Sequence, residues 1–234
     1  MTFAKFKADL LAGETFNVLL GLAAQFSDFP RESWGYSQWE VDRARQTIPV
    51  HTKGLAGPVI PAALARWYET VGRVRELTAS QNRLHAPHQI ELRDNVVIVY
   101  TENQSCAFWG IRVQDLTLAD PPVIYTEGNS WHVEADSISR FALTVGLSEL
   151  CLSGSKSWCS GYADDTAIGA LHAKLDLLPV PPLRWPTPKR QALFLADDKV
   201  LILMESEFFF AVSLDASIQD HLCGLAAPGR VEWT

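Results

Sequence analysis

Apolar positions along the chain change their period in the middle. In the first part they recur at helical spacing. Phe3, Phe6, Leu10 and Leu11 fall on one face and predict a first helix. The run TFNVLLGLAAQF predicts a second, broken by Phe29-Pro30, and ESWGYSQWEVDRARQ a weaker third. KGLAGP, Lys53–Pro58, reads as a Gly-rich connector. IPAALARWYETVG then places Pro61 in a first helical turn and Leu64, Trp67, Tyr68 and Val71 on the apolar face, with Gly72 as the C-terminal cap. LTASQNRLHAPHQIEL shows no clear period.

From Asn95 onward the pattern becomes that of strands. VVIVYT and SCAFWGIRV flank the polar residues Glu102, Asn103 and Gln104, which predicts a hairpin with a loop longer than two residues and a buried Trp109. DPPVIYT and SWHVEA predict a second hairpin around Glu127-Gly128-Asn129. Asp136 is expected to cap a helix over SISRFALTVGLSELCL, with Ile138, Phe141, Ala142, Val145 and Leu150 inward. Gly154 to Tyr162 reads as a loop, and a helix starts at Asp165-Thr166 with Ile168, Leu171 and Leu175 inward. LPVPPLRWPTP is an extended Pro-rich connector. QALFLA, KVLILM and FFFAVSL predict three short strands with turns at Asp197-Asp198 and Ser206-Glu207. A short helix, SIQDHLCGLA, precedes an exposed tail ending RVEWT. Helices first and paired strands afterwards argue an α+β fold with a mainly antiparallel sheet. The organisation expected is an N-terminal helical segment at 1–57, a core at 58–153, and a helix-and-strand extension of the same domain at 154–234.

Composition narrows the class. With 47% hydrophobic and 20% charged residues in 234, the chain has enough apolar material for a sizeable core. A net charge of −7 argues against nucleic acid as the main partner, because phosphate binding needs a basic face. No apolar run is long enough for a membrane span and the N-terminal stretch has no secretory pattern, so a cytoplasmic protein is expected. Cys106, Cys151, Cys159 and Cys223 are irregularly spaced, so reduced thiols are expected, with neither disulfide nor zinc.

Several short motifs compete for a chemical role. YADDT, Tyr162–Thr166, resembles the magnesium-binding box of reverse transcriptases, but KSWCSG before it and AIGALHAKL after it lack the two flanking apolar strands. The plainer reading is an Asp that starts a helix. His85 and His88 lie in Pro-containing irregular sequence, without the helical i, i+4 spacing of a metal pair. No nucleophile elbow, phosphate loop or dinucleotide fingerprint is present, so no catalytic residue, metal or cofactor is assigned.

Residues from about 58 to 153 resemble the Smi1/Knr4 family, the SUKH superfamily. The resemblance is carried by IPAALARWYETVG, ENQSCAFWGI, DPPV (Asp120–Val123) and Ser139-Arg140-Phe141, in that order. LRWP and the strands after it look like the C-terminal continuation of bacterial members. The resemblance implies one α+β domain with a curved sheet and helices on one side, and no enzyme activity. It marks Pro61, Tyr68, Gly72, Trp109, Gly110, Pro121 and Phe141 as structural signature positions. Bacterial members of this kind are immunity proteins that neutralise a cognate toxin of a polymorphic toxin system. Fungal members are regulatory interaction proteins.

Two readings of the Glu-Asn-Gln turn stay open. It satisfies backbone groups at a hairpin, or it contributes to a partner surface with Asp115, Asp120 and Glu127. Glu102, Asp115, Asp120, Glu127, Glu134 and Asp136 against Arg112 suggest an acidic face suited to a basic protein partner. A regulatory scaffold is the alternative to an immunity protein, and an enzyme with an unrecognised site is the third reading.

Overall fold

The computed structural model describes residues 3–47, 60–154, 157–180, 183–184, 191–196, 200–213 and 218–234. Helices α1 (Phe3–Leu11), α2 (Thr15–Phe26), α3 (Gln38–Thr47), α4 (Ala62–Val71) and the single turn α5 (Arg75–Thr78) come first. Strands β1 (Arg83–Leu84), β2 (Glu91–Arg93), β3 (Val96–Thr101), β4 (Phe108–Arg112), β5 (Val123–Glu127) and β6 (Ser130–Ala135) follow, then helix α6 (Ile138–Leu152). The rest is β7 (Ser157–Ala163), α7 (Asp165–Lys174), β8 (Asp176–Leu177), β9 (Gln191–Ala196), β10 (Val200–Glu205), β11 (Phe208–Ser213), α8 (Ile218–Ala226) and β12 (Val231–Trp233).

This is an α+β fold with antiparallel pairing. Its strands divide between two sheets. The first runs β1-β3-β4-β5-β6, with β2 also on β3; the second runs β12-β7-β11-β10-β9-β8. The hairpin expected around Glu102 forms as β3 and β4, with Thr101 opposite Phe108 and Val96 opposite Arg112.

Helix α6 explains how the halves share one interior. Every residue from Phe141 to Cys151 is buried. An amphipathic helix buries a stripe, whereas a helix buried all round must be packed on all sides. Helices α2, α4 and α5 pack against it, and β10 and β11 of the second sheet do so as well. Leu201, Leu203 and Val212 therefore join the same core cluster as Phe6, Trp67 and Trp109. Helices α7 and α8 cover the opposite face of the second sheet through Ala167, Leu171, Ile218 and Leu222.

Several local expectations change. Leu11 is 67% exposed although Phe6 and Leu10 are buried, because α1 ends there and Gly13, at φ 76°, turns the chain back. Pro61 sits one residue before α4, at φ −51° and ψ 143°, not inside its first turn. Gly72 does close α4, but at a helical φ of −59°. Its need is space: a Cβ there would lie 2.7 Å from the Tyr68 carbonyl oxygen and 2.9 Å from Tyr36 Cδ2. The cap of α6 is Ser137, whose Oγ accepts from Arg140 N–H at 3.2 Å. Asp136 instead pairs with the Arg140 guanidinium.

The stretch read as a loop from Gly154 is largely strand β7, which lies between β11 and β12. The tail is strand β12, with Trp233 edge-on to Phe209 at 5.8 Å. Gly161 permits that pairing, since a Cβ would stand 2.6 Å from the Glu232 carbonyl oxygen. The 53–58 connector and the Asp197-Asp198 turn lie outside the described residues. Among the described residues no helix is long and apolar enough to cross a membrane.

Candidate functional site

The Glu-Asn-Gln turn closes on itself. Glu102 N–H donates to the Ala107 carbonyl at 3.0 Å, and Ser105 N–H to the Glu102 carbonyl at 2.8 Å. The Glu102 carboxylate accepts from Gln104 N–H at 2.8 Å and Cys106 N–H at 3.0 Å. Ser105 takes the left-handed conformation that tightens the loop, at φ 60°. Glu102 is 7% exposed, so its carboxylate serves the loop backbone. Asn103 and Gln104 do present side chains to solvent, while Asn103 N–H reaches Asn82 Oδ1.

Asn82 leads inward to a buried carboxylate. Glu149 of α6, 1% exposed, accepts from Tyr100 Oη at 2.6 Å, Gln81 N–H at 2.6 Å and Asn82 N–H at 3.1 Å. Tyr100 reaches it through a register shift between Ile98 and Tyr100, which turns the ring into the core beside Val99. Burial pushes the Glu149 carboxyl above its ordinary range, and its donors act against that push. Glu134 is held in the same way. It accepts from Trp109 Nε1 at 2.8 Å and Arg184 N–H at 2.8 Å, and burial raises it. Phe141 stands among Trp67, Tyr100 and Trp109, with ring centroids at 6.0, 5.7 and 6.4 Å. Pro121 and Tyr68 are buried too. The signature residues are thus core residues.

The expected acidic face is altered accordingly. Glu102 and Glu134, placed at solvent by the sequence, are buried because each has backbone or indole donors waiting. Glu127 is exposed at the end of β5, the end where Phe108 N–H donates to Thr126 Oγ1, and so lies at the same end of the first sheet as the turn that joins β3 to β4. Asp115 and Asp120 lie at the opposite end, after Arg112 and before Val123, roughly 17 Å away along the strands. Asp120 also accepts from Ser139 N–H at 3.0 Å in the first turn of α6. The six residues do not form one patch.

The remaining motifs resolve locally. Asp164 caps α7, accepting from Ala167 N–H at 2.7 Å and Arg230 N–H at 3.0 Å. His85 is a core histidine: Nε2 lies 2.7 Å from Thr101 Oγ1 and Nδ1 3.2 Å from the Gln89 carbonyl oxygen, whereas His88 is exposed. Burial lowers the pKa of His85. Cys151 and Cys159 are buried thiols, Cys106 and Cys223 exposed ones.

A pocket of about 370 Å³ was not foreseen. It lies between the 31–40 segment and the end of α4, lined by Arg31, Glu32, Tyr36, Glu40, Glu69 and Arg73. Two backbone bonds hold the segments together: Tyr36 N–H to the Tyr68 carbonyl at 2.9 Å, and Arg73 N–H to the Trp34 carbonyl at 2.8 Å. Gly35 is obligatory there, because a Cβ would fall 1.8 Å from the Glu69 carbonyl oxygen. Ser37 and Glu40 form a capping box: Ser37 N–H donates to Glu40 Oε2 at 2.9 Å and Glu40 N–H to Ser37 Oγ at 3.3 Å. The Glu40 carboxyl is held low, first by that Ser37 N–H. Arg73 pairs with Glu40 and lies over the Tyr36 ring at 4.3 Å. The Ser-x-x-Glu spacing was the available sequence signal.

Comparison with family models, curated proteins and solved structures finds no match to this chain.

Proposed function

We propose that this chain is a non-enzymatic protein-binding protein of the Smi1/Knr4 kind, an immunity protein that neutralises a cognate toxin by direct contact. The observation that carries the reading is the burial of the shared motif. Tyr68, Trp109 and Phe141 are at most 1% exposed, and Glu102, Glu134 and Glu149 are held by protein donors. A motif used this way maintains a scaffold, and partner choice then rests on the exposed surface. That surface offers exposed aromatics, Phe29 at 65% and Trp39 at 66%, of the type that anchors protein interfaces.

The partner expected is a basic protein met in the cytoplasm. The test is co-expression with the product of the adjacent gene. Growth rescue together with a stoichiometric complex on size exclusion supports the reading. Toxicity unrelieved by this chain, with no complex formed, overturns it.

A further inference from the structure

We propose that the pocket between the 31–40 segment and the end of α4 receives an arginine or lysine side chain from a basic protein partner. The inference rests on the binding-protein reading and names the contact point. Glu40 and Arg73 satisfy one another, so they leave little net charge. Glu32 and Glu69 are exposed, line the same pocket and have no hydrogen-bond or ion-pair partner among the described residues. With Arg31 as the one other cation in the lining, the balance favours a cation over an anion.

The pocket already shows the geometry a guanidinium wants. Arg73 rests on the Tyr36 ring face at 4.3 Å with a carboxylate at its edge. A planar cation gains from an aromatic face and a carboxylate together, more so where water is partly excluded. The Tyr36 ring packs edge-on against Tyr68 at 5.7 Å, and the fully buried Tyr68 hydroxyl has no hydrogen-bond partner among the described residues. Trp39, next to Glu40 in α3, and Phe29, whose carbonyl accepts from Trp34 Nε1, give the neighbouring surface exposed aromatic area. A volume of about 370 Å³ suits one long side chain and its last waters.

The probe is the capped tripeptide Gly-Arg-Gly, titrated into the ¹⁵N-labelled full chain at low salt beside Gly-Lys-Gly, Gly-Glu-Gly and Gly-Gly-Gly. Shifts confined to 31–40 and 69–73, for the cationic peptides only, are expected. The double variant Glu32→Gln/Glu69→Gln removes two exposed, unpaired charges and should keep its melting temperature, yet weaken binding by roughly 3- to 10-fold. Absent shifts, equal shifts with Gly-Glu-Gly, or undiminished binding by the double variant overturn the proposal. A second arm separates it from the functional reading. If the wild-type chain neutralises the adjacent gene's toxin and the double variant does so equally well, the pocket is not the contact and the immunity reading stands. If the peptides bind as expected and no toxin is neutralised, the pocket stands and the immunity reading falls.

Discussion

The Tyr100 hydroxyl donates to the Glu149 carboxylate across 2.6 Å, tying the centre of the first sheet to the buried helix α6. Tyr100→Phe keeps the ring among Trp109 and Phe141 and removes that donor together with the hydroxyl's hydrogen bond to the Asn82 side chain. The carboxylate stays buried with its remaining donors, so a loss of about 1–3 kcal/mol in unfolding free energy is expected. Urea denaturation of the two chains measures it. An unchanged midpoint would show that a water or another donor replaces the hydroxyl without cost.

Glu149 also makes stability depend on pH. Burial raises its folded pKa above the ordinary 4.5, so the folded chain holds the proton more tightly than the unfolded chain. Its contribution is complete below that value and is lost as pH rises through the folded pKa. Glu134, raised for the same reason, acts in the same direction, whereas Glu40, held low, acts in the opposite one. The informative quantity is therefore a difference. The stability of wild type minus that of Glu149→Gln, which does not titrate, should fall as pH rises from about 4.5 toward neutrality. A difference, wild type minus variant, that grows with rising pH would reverse the sign assigned to this carboxyl.

Gly110 faces a backbone rather than a ligand. A Cβ there would stand 2.4 Å from the Val97 carbonyl oxygen and 2.6 Å from Val96 Cγ1. Relief requires β3 and β4 to separate where Ile98 opposes Gly110. Gly110→Ala should cost about 1–3 kcal/mol, the range of overpacking in a close-packed interior. Thermal melts of the variant beside Gly128→Ala, an exposed turn glycine with φ 60° and open space around it, separate steric crowding from backbone strain. Equal losses would remove the crowding argument.

These residues also show what the sequence made legible. The β3–β4 hairpin and the burial of Trp109 were readable because apolar run, polar turn and aromatic sit within one local pattern. Strand β7 was not readable. SWCSGYA has little apolar periodicity, and its identity as a strand comes from β11 and β12, paired from far along the chain. Glu149 lies in GLSELCL, where a single acid inside an apolar helix marks a buried group, but its donors at Gln81, Asn82 and Tyr100 are distant in sequence. The charged pocket failed to register for the same reason. Ser37 and Glu40 announce a capping box, whereas Glu69 and Arg73 arrive from α4 and the turn after it.

The two adjacent acids at the start of α7 give the last prediction. Asp164 uses one carboxylate oxygen for Ala167 N–H and the other for Arg230 N–H, so it both caps the helix and fixes the chain leading into β12. Asp165 is the first helical residue, exposed, and helps only by lying near the positive end of the helix. Asp164→Ala should lose about 1–2 kcal/mol, the usual cost of removing an N-cap, and Asp165→Ala well under half of that. If the pair were instead a magnesium site of the kind its spelling suggests, both variants would abolish a metal response shared by the wild-type chain. The expected outcome is that millimolar magnesium leaves the wild-type melting temperature unmoved, and that the two variants differ in stability alone. A melting temperature that rises with magnesium and stops rising when either acid is removed would replace the cap with a metal site.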